Sequence, residues 1–327
     1  MKYVFVDNFN EVPYDAGKAR CDIEEILKRN GYTPITVYNR KHKIIGKIAD
    51  ILKLLHVIIH TMYRDTVVLQ YPYNFVMLRI IIFFLKLKRC YITILIHDVN
   101  YIREKKEINS LEITVLNAVD YLIVHNKRMK ERLSVDGVKT PMYTLEVFDY
   151  LFQGDIKEKK NGNVIVFAGN LEKSSFIYYL DSIPNLSFNL YGNNFQSGKV
   201  HNNIIYRGSF LPNDLPSILE GNYGLVWDGP TTKSCTEAYG EYLIYNTPHK
   251  LSLYIVANLP IIIWSKAAMS QFVVRNKIGF CVDSLDEIPS KISKISDTEY
   301  AEMQNNLKII SKIIQSGSCI LLALKEI

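Results

Sequence analysis

Two spacings of apolar residues take turns along this chain. Short unbroken apolar runs, the mark of a strand buried on both faces, alternate with segments whose apolar positions recur at helical spacing. In the first half the order reads strand Tyr3–Val6, helix Ala19–Asn30, strand Thr33–Tyr38, helix Lys47–His60, strand Thr66–Gln70, helix Tyr73–Leu87, strand Tyr91–Ile96, helix Ile108–Asn117 and strand Tyr121–Val124. Such alternation predicts a parallel sheet with helices on both faces.

After Phe148-Asp149-Tyr150-Leu151 the pattern lapses: Gln153–Asn163 is polar, with Gly154, Gly162 and the charge run Lys157-Glu158-Lys159-Lys160. This stretch predicts a boundary between a first domain, residues 1–152, and a second, residues 153–327. The alternation then restarts, with strands at Val164–Ala168, Phe188–Tyr191, Ile204–Arg207, Gly224–Val226, Pro260–Trp264 and Gly279–Val282 and helices between them. A long helix, Thr298–Lys325, closes the chain. The expected fold class is therefore α/β, with two doubly wound domains that leave a cleft between their carboxyl edges. A length of 327 residues agrees, since single cores stop growing below it.

Composition narrows the class. Apolar residues at 48% and charged residues at 22% are ordinary for a globular protein and leave no room for a long disordered region. Cys21, Cys90, Cys235, Cys281 and Cys319 are scattered and never spaced C-x-x-C, which predicts reduced thiols in the cytoplasm over disulfides or a zinc site. The apolar start Met1–Val6 meets Asp7 too soon for a signal peptide. The run Phe75–Ile96 is broken by Arg79, Lys86, Lys88 and Arg89, so it is read as a helix and a strand, not a membrane span.

The net charge of +6 is unevenly spread. Between Glu25 and Asp98 the acids are Asp50 and Asp65, while lysines and arginines from Lys28 to Arg89 crowd the same window. Such a field suits an anionic leaflet or a diphosphate-bearing lipid, so the expectation is a cytoplasmic protein held peripherally on the inner face of the plasma membrane through its basic first domain. A plain solvated basic surface is the alternative. Nucleic acid is not an expected partner, because no recognition motif accompanies the charge.

Candidate chemistry concentrates in Tyr223–Ser265. A buried strand runs into the acidic turn Asp228-Gly229, and Asn246-Thr247-Pro248-His249-Lys250 then opens an apolar helix. Pro248 near the first helical turn leaves free N–H groups that can bind an anion, and Lys250 adds a positive charge. Other strands of this half end in Gly169-Asn170, Gly192-Asn193-Asn194 and Gly208-Ser209-Phe210, as a nucleotide pocket requires. Charge assigns Lys250 to a diphosphate, and position assigns Asn170 and Lys173 to phosphate or ribose. Tyr206 or Phe210 would flank a base, although aromatic residues at strand ends commonly belong to the core.

In the first half, Asp15–Arg20 occupies the place of a phosphate-binding turn without the G-x-G-x-x-G fingerprint. Lys18 and Arg20 would face the cleft from the opposite wall; an ordinary basic helix start is the alternative, though a cation there opposes the helix dipole. His97-Asp98 ends the fourth strand, with Asp98 the candidate base for an acceptor hydroxyl and His97 the runner-up. No D-x-D triplet, metal-ligand spacing, G-x-S-x-G or P-loop occurs, so no metal and no resident cofactor are expected.

The strings DAGKARCD, FDYL, AGNL, SFIY, GSF, GLVWDG, GEYLIYNTPHKLSLY and LPIIIWSKAAMSQFVVRNKIG, in this order, resemble bacterial β-1,6-galactofuranosyltransferases of O-antigen assembly. More distantly they resemble a streptococcal glucosyltransferase that extends a sugar on an adhesin. The likeness implies a GT-B fold of two Rossmann-like domains facing across a cleft, and metal independence. It also implies a UDP-hexose donor held by the second domain and a saccharide acceptor, lipid-linked or not, held by the first. It carries donor binding onto Asn170, Tyr206, Asn246, His249 and Lys250, and a cleft-facing role onto Gly17, Lys18 and Arg20. The chain departs from the family in Thr247, where a second asparagine is usual, and in a shorter loop at Asp15-Ala16-Gly17. Galactofuranose or another hexose, glucose among them, is the expected cargo, and a homo-oligomer stays open. The rivals are a non-catalytic subunit that binds glycan, and an epimerase or phosphorylase of the same architecture.

Overall fold

The computed structural model describes residues 1–7, 17–37, 59–196 and 203–327. The expected helix over 47–60, apart from Ile59 and His60, lies outside them, as do Asp15 and Ala16. The chain divides into two compact units. The first comprises Met1–Ile102, Lys106–Glu146 and Cys319–Ile327, and the second Arg103–Lys105 and Val147–Ser318.

The first unit holds a six-stranded sheet of β1 (Lys2–Asp7), β2 (Thr33–Val37), β3 (Thr66–Tyr71), β4 (Tyr91–Ile96), β5 (Tyr121–Val124) and β6 (Met142–Thr144). Its order is β2-β1-β3-β4-β5-β6 and every pairing is parallel. Strands such as β4 are buried along almost their whole length because helices cover both faces, which is why they read as unbroken apolar runs. The Phe75–Leu87 helix starts at Asn74, whose side chain accepts from the Met77 N–H, and packs Leu78, Ile81, Ile82 and Leu85 inward. Asn126 caps the Lys127–Val135 helix in the same way. That helix and β6 were not named from the sequence; their apolar positions are too few for periodicity to stand out.

The second unit contains β7 (Val164–Ala168), β8 (Ser187–Tyr191), β9 (Ile204–Gly208), β10 (Tyr223–Val226), β11 (Ile261–Trp264) and β12 (Gly279–Val282). Their order is β12-β11-β10-β7-β8-β9, again all parallel. The connection from β7 to β8 is a 3-10 helix, Ser175–Ser182. Phe148 and Tyr150 pack here: Ser252 Oγ donates to the Phe148 carbonyl, and Tyr150 donates through its hydroxyl to the Pro212 carbonyl and through its N–H to that of Ile314. The closing helix is not continuous. A capping box of Ser296 and Glu299 starts the Asp297–Gln315 segment, and Gly317 at φ 78° ends it before Ser318–Lys325 begins.

Candidate active site

In the second unit the strand order reverses between β7 and β10, the topological switch point where open α/β sheets bind ligands. The residues following these two strands meet there. Gly169 follows β7, and its N–H donates to the Tyr191 carbonyl at the end of β8. Gly192 follows β8 at φ 137°, and a Cβ added to it would sit 1.8 Å from the Gly169 carbonyl oxygen. No side chain fits at that position, so two loops lie in direct backbone contact beside the switch point.

Lys250 reaches into this place from the His249–Val256 helix. Its Nζ lies 3.3 Å from the Trp227 carbonyl oxygen, 3.5 Å from Asp228 Oδ2 and 4.4 Å from the centre of the Phe167 ring. A Cβ at Gly169 would lie 3.8 Å from the same ammonium. The side chain keeps 14% of its surface exposed, so it is sheltered yet reachable. Asp228 is held from its other side, since Oδ1 accepts from Ser174 Oγ at 3.3 Å and from the Gly229 N–H at 3.1 Å. The lysine contacts are at the long end of hydrogen bonding, an arrangement that can be exchanged for a more negative partner.

Pro248 is the N-cap of this helix, next to its first turn, and makes no side-chain capping hydrogen bond. Its backbone is extended there, with ψ 134°. Asn246, just ahead, has a buried side-chain oxygen with no hydrogen-bond partner among the described residues. Such an acceptor is costly unless a ligand donates to it. His249 turns elsewhere. Its ring stacks on Tyr150 at 5.0 Å and meets the edge of Phe148 at 6.1 Å.

The remaining second-unit candidates are spread. The Asn170 side chain accepts from the Glu172 N–H at 3.1 Å, which shapes its own turn. Lys173 is exposed and lies 5.0 Å over the Tyr239 ring. Tyr206 donates to the Gly192 carbonyl at 2.9 Å, and one face of its ring is already covered by Phe195, 4.3 Å away and nearly parallel. Phe210 instead tilts against Tyr191 at 6.2 Å.

In the first unit the reversal falls between β1 and β3. Gly17 is the N-cap of the Lys18–Arg29 helix there and has no side chain with which to cap that turn. Lys18 and Arg20 are both buried. Lys18 pairs with Asp22 at 2.5 Å, four residues on, which answers the unfavourable helix dipole. Burial lowers its pKa below the usual lysine value, and Asp22 offsets part of that. Arg20 donates to the Gln70 carbonyl at 3.3 Å and to the Pro72 carbonyl at 2.7 Å, tying the helix to the end of β3. Both cations are thus engaged by groups of the first unit.

His97 and Asp98 follow β4 and are half-buried. His97 Nε2 lies 2.8 Å from Gln70 Oε1, and its N–H donates to the Tyr71 carbonyl at 2.7 Å. Beneath them, His125 is fully buried at the end of β5. Burial depresses its pKa to about 4 against weaker opposing hydrogen bonds to the backbone of His97 and Ile96. Three residues were missed as parts of these sites: Ser174 behind Asp228, Gln70 joining Arg20 to His97, and His125. Only His125 carried a local signal, as a histidine closing an apolar run.

The Glucosyltransferase 3-like N-terminal domain matches residues 2–147, and the Glucosyltransferase 3-like C-terminal domain matches residues 165–327. The chain is 32% identical to β-1,6-galactofuranosyltransferase WbbI of Escherichia coli K12, over 99% of this chain and 97% of that one. Glucosyltransferase 3 of Streptococcus gordonii is 23% identical over 63% of this chain and 60% of its own length. Among solved structures, WaaG, a glycosyltransferase involved in lipopolysaccharide biosynthesis, superposes with a TM-score of 0.61 at 11% identity, covering 98% of this chain and 99% of that one. The two parallel-sheet units are thus the Rossmann-like domains of a GT-B fold, and the chain is a glycosyltransferase of the Glucosyltransferase 3-like family.

Proposed function

We propose that this enzyme moves galactofuranose from its UDP carrier to a saccharide of a growing cell-surface glycan, in one inverting step that needs no metal. The observation that carries the reading is Lys250, held at the β7–β10 switch point beside an uncapped helix start. A donor diphosphate there would replace Asp228 as partner of the ammonium, and the first N–H groups of the helix would take further oxygens. Asn246 supplies a buried acceptor for a hydroxyl or N–H of the donor. The uncovered face of Tyr206 is the place for the base.

In the reaction, the acceptor oxygen attacks the anomeric carbon as the bond from that carbon to the diphosphate breaks. UDP leaves with the electron pair, and the acceptor proton passes to Asp98. Fixed positive charge at the leaving group is the main source of rate in such a step. The likeness to WbbI along nearly the whole chain supports galactofuranose. Glucose from UDP-glucose is the second reading, favoured by the family description and the streptococcal relative.

Purified protein given a panel of UDP-sugars, with and without acceptor glycan, tests both. Acceptor-dependent UDP release fastest with UDP-galactofuranose supports the first reading, and fastest with UDP-glucose supports the second. No acceptor-dependent release from any donor overturns both.

A further inference from the structure

The Phe75–Leu87 helix is apolar on both sides. Leu78, Ile81, Ile82 and Leu85 face the sheet, and a helix so anchored should carry polar residues outward. Instead Val76, Ile80, Phe83 and Leu87 recur at helical spacing and form an outer stripe, with Val76 70%, Phe83 58% and Leu87 64% exposed. Arg79 and Lys86 border the stripe along one side. At its carboxyl end stand Tyr63, Arg64, Lys88 and Arg89: Arg64 lies 5.5 Å over the Tyr63 ring, and Arg89 reaches the Tyr63 hydroxyl at 3.5 Å. Tyr63 is itself 58% exposed. Asp120 pairs with Lys86 and offsets that lysine alone, and Asp65 is buried against the Met1 ammonium, so neither acid answers Arg64, Arg79 or Arg89.

We propose that this face docks on an anionic lipid surface, with the Val76–Leu87 stripe entering the headgroup boundary and the surrounding arginines and lysines meeting lipid phosphates. Apolar stripe, basic border and an aromatic residue at the margin are the three features such a surface selects. The charge complementarity also decides against a second copy of the chain. A two-fold contact would set one basic border against another. The inference stands apart from the choice of donor sugar, because it concerns attachment and not chemistry.

Flotation of the full chain with vesicles of phosphatidylcholine alone, and of phosphatidylcholine enriched in phosphatidylglycerol, is the test. The chain should float with the anionic vesicles and stay behind with the neutral ones. The double variant Phe83→Ser/Leu87→Ser should lose at least about ten-fold in apparent affinity, and so should Arg79→Gln/Arg89→Gln. All four side chains face outward, so circular dichroism and UDP release with a soluble acceptor should be unchanged in both variants. Failure to bind anionic vesicles, equal binding to neutral ones, or undiminished binding by Phe83→Ser/Leu87→Ser would each overturn the proposal. So would a wild-type dimer that the same double variant dissociates.

Discussion

The two units solve the same geometric problem in opposite ways. Each has a strand-order reversal with a helix start and a lysine beside it. In the second unit Lys250 keeps part of its surface exposed and rests on long contacts to Trp227 and Asp228. In the first, Lys18 is buried against Asp22, and Arg20 is fastened to two carbonyls at the end of β3. A loosely held cation can be handed to a ligand, whereas a tightly held one stiffens the scaffold. Topology supplies the place; what the neighbouring side chains do with the charge decides between recognition and rigidity.

The comparison breaks most visibly at Asp22. Replacing Asp22 by Ala takes away a carboxylate 2.5 Å from a buried ammonium and should cost about 3 kcal/mol of stability. Denaturant midpoints would show the loss, while UDP affinity of the protein that remains folded should hold. Lys250→Ala should do the reverse: turnover falls about 100-fold or more, and the denaturant midpoint barely moves. If turnover is unchanged, Lys250 does not belong to the site.

A gentler probe uses acid. His125 is buried neutral, with its pKa lowered to about 4, so the unfolded chain binds the extra proton first as pH falls. Its contribution is complete above the ordinary histidine pKa of about 6.5 and is lost between there and about 4. Thermal melts across that window should show stability declining with acid, and His125→Phe should flatten the decline. The smallest effect is expected at Asn170→Ala, which removes one turn hydrogen bond and should cost about 1 kcal/mol, read from the same melts. A far larger fall in donor affinity than in stability would move Asn170 from turn residue to ligand contact.

Much of this was legible in the sequence. Unbroken apolar runs predicted parallel strands because both faces of each sheet are covered. The strand ends at Gly169, Gly192 and Asp228 and the helix start at Lys250 were expected together, and they do meet, because a parallel sheet gathers such ends at one edge. What escaped was direction. Nothing local says what holds Arg20, since its acceptors are fifty or more residues away in sequence. Asp22 was visible at the helical spacing that pairs with Lys18, and the sign of that pair was the available clue. The covering of Tyr206 by Phe195, and the stacking of His249 on Tyr150, likewise depend on loops that periodicity does not reach.

The last nine residues, Cys319–Ile327, count with the first unit, although the long helix ahead of them belongs to the second. Ile320 and Ala323 are buried there. The polypeptide therefore leaves the first unit at Val147 and returns to it at Cys319. Chimeras that exchange halves between relatives must take this tail from the parent of the amino-terminal half. Recombination at a single crossover would strand an ill-fitting helix on a foreign core.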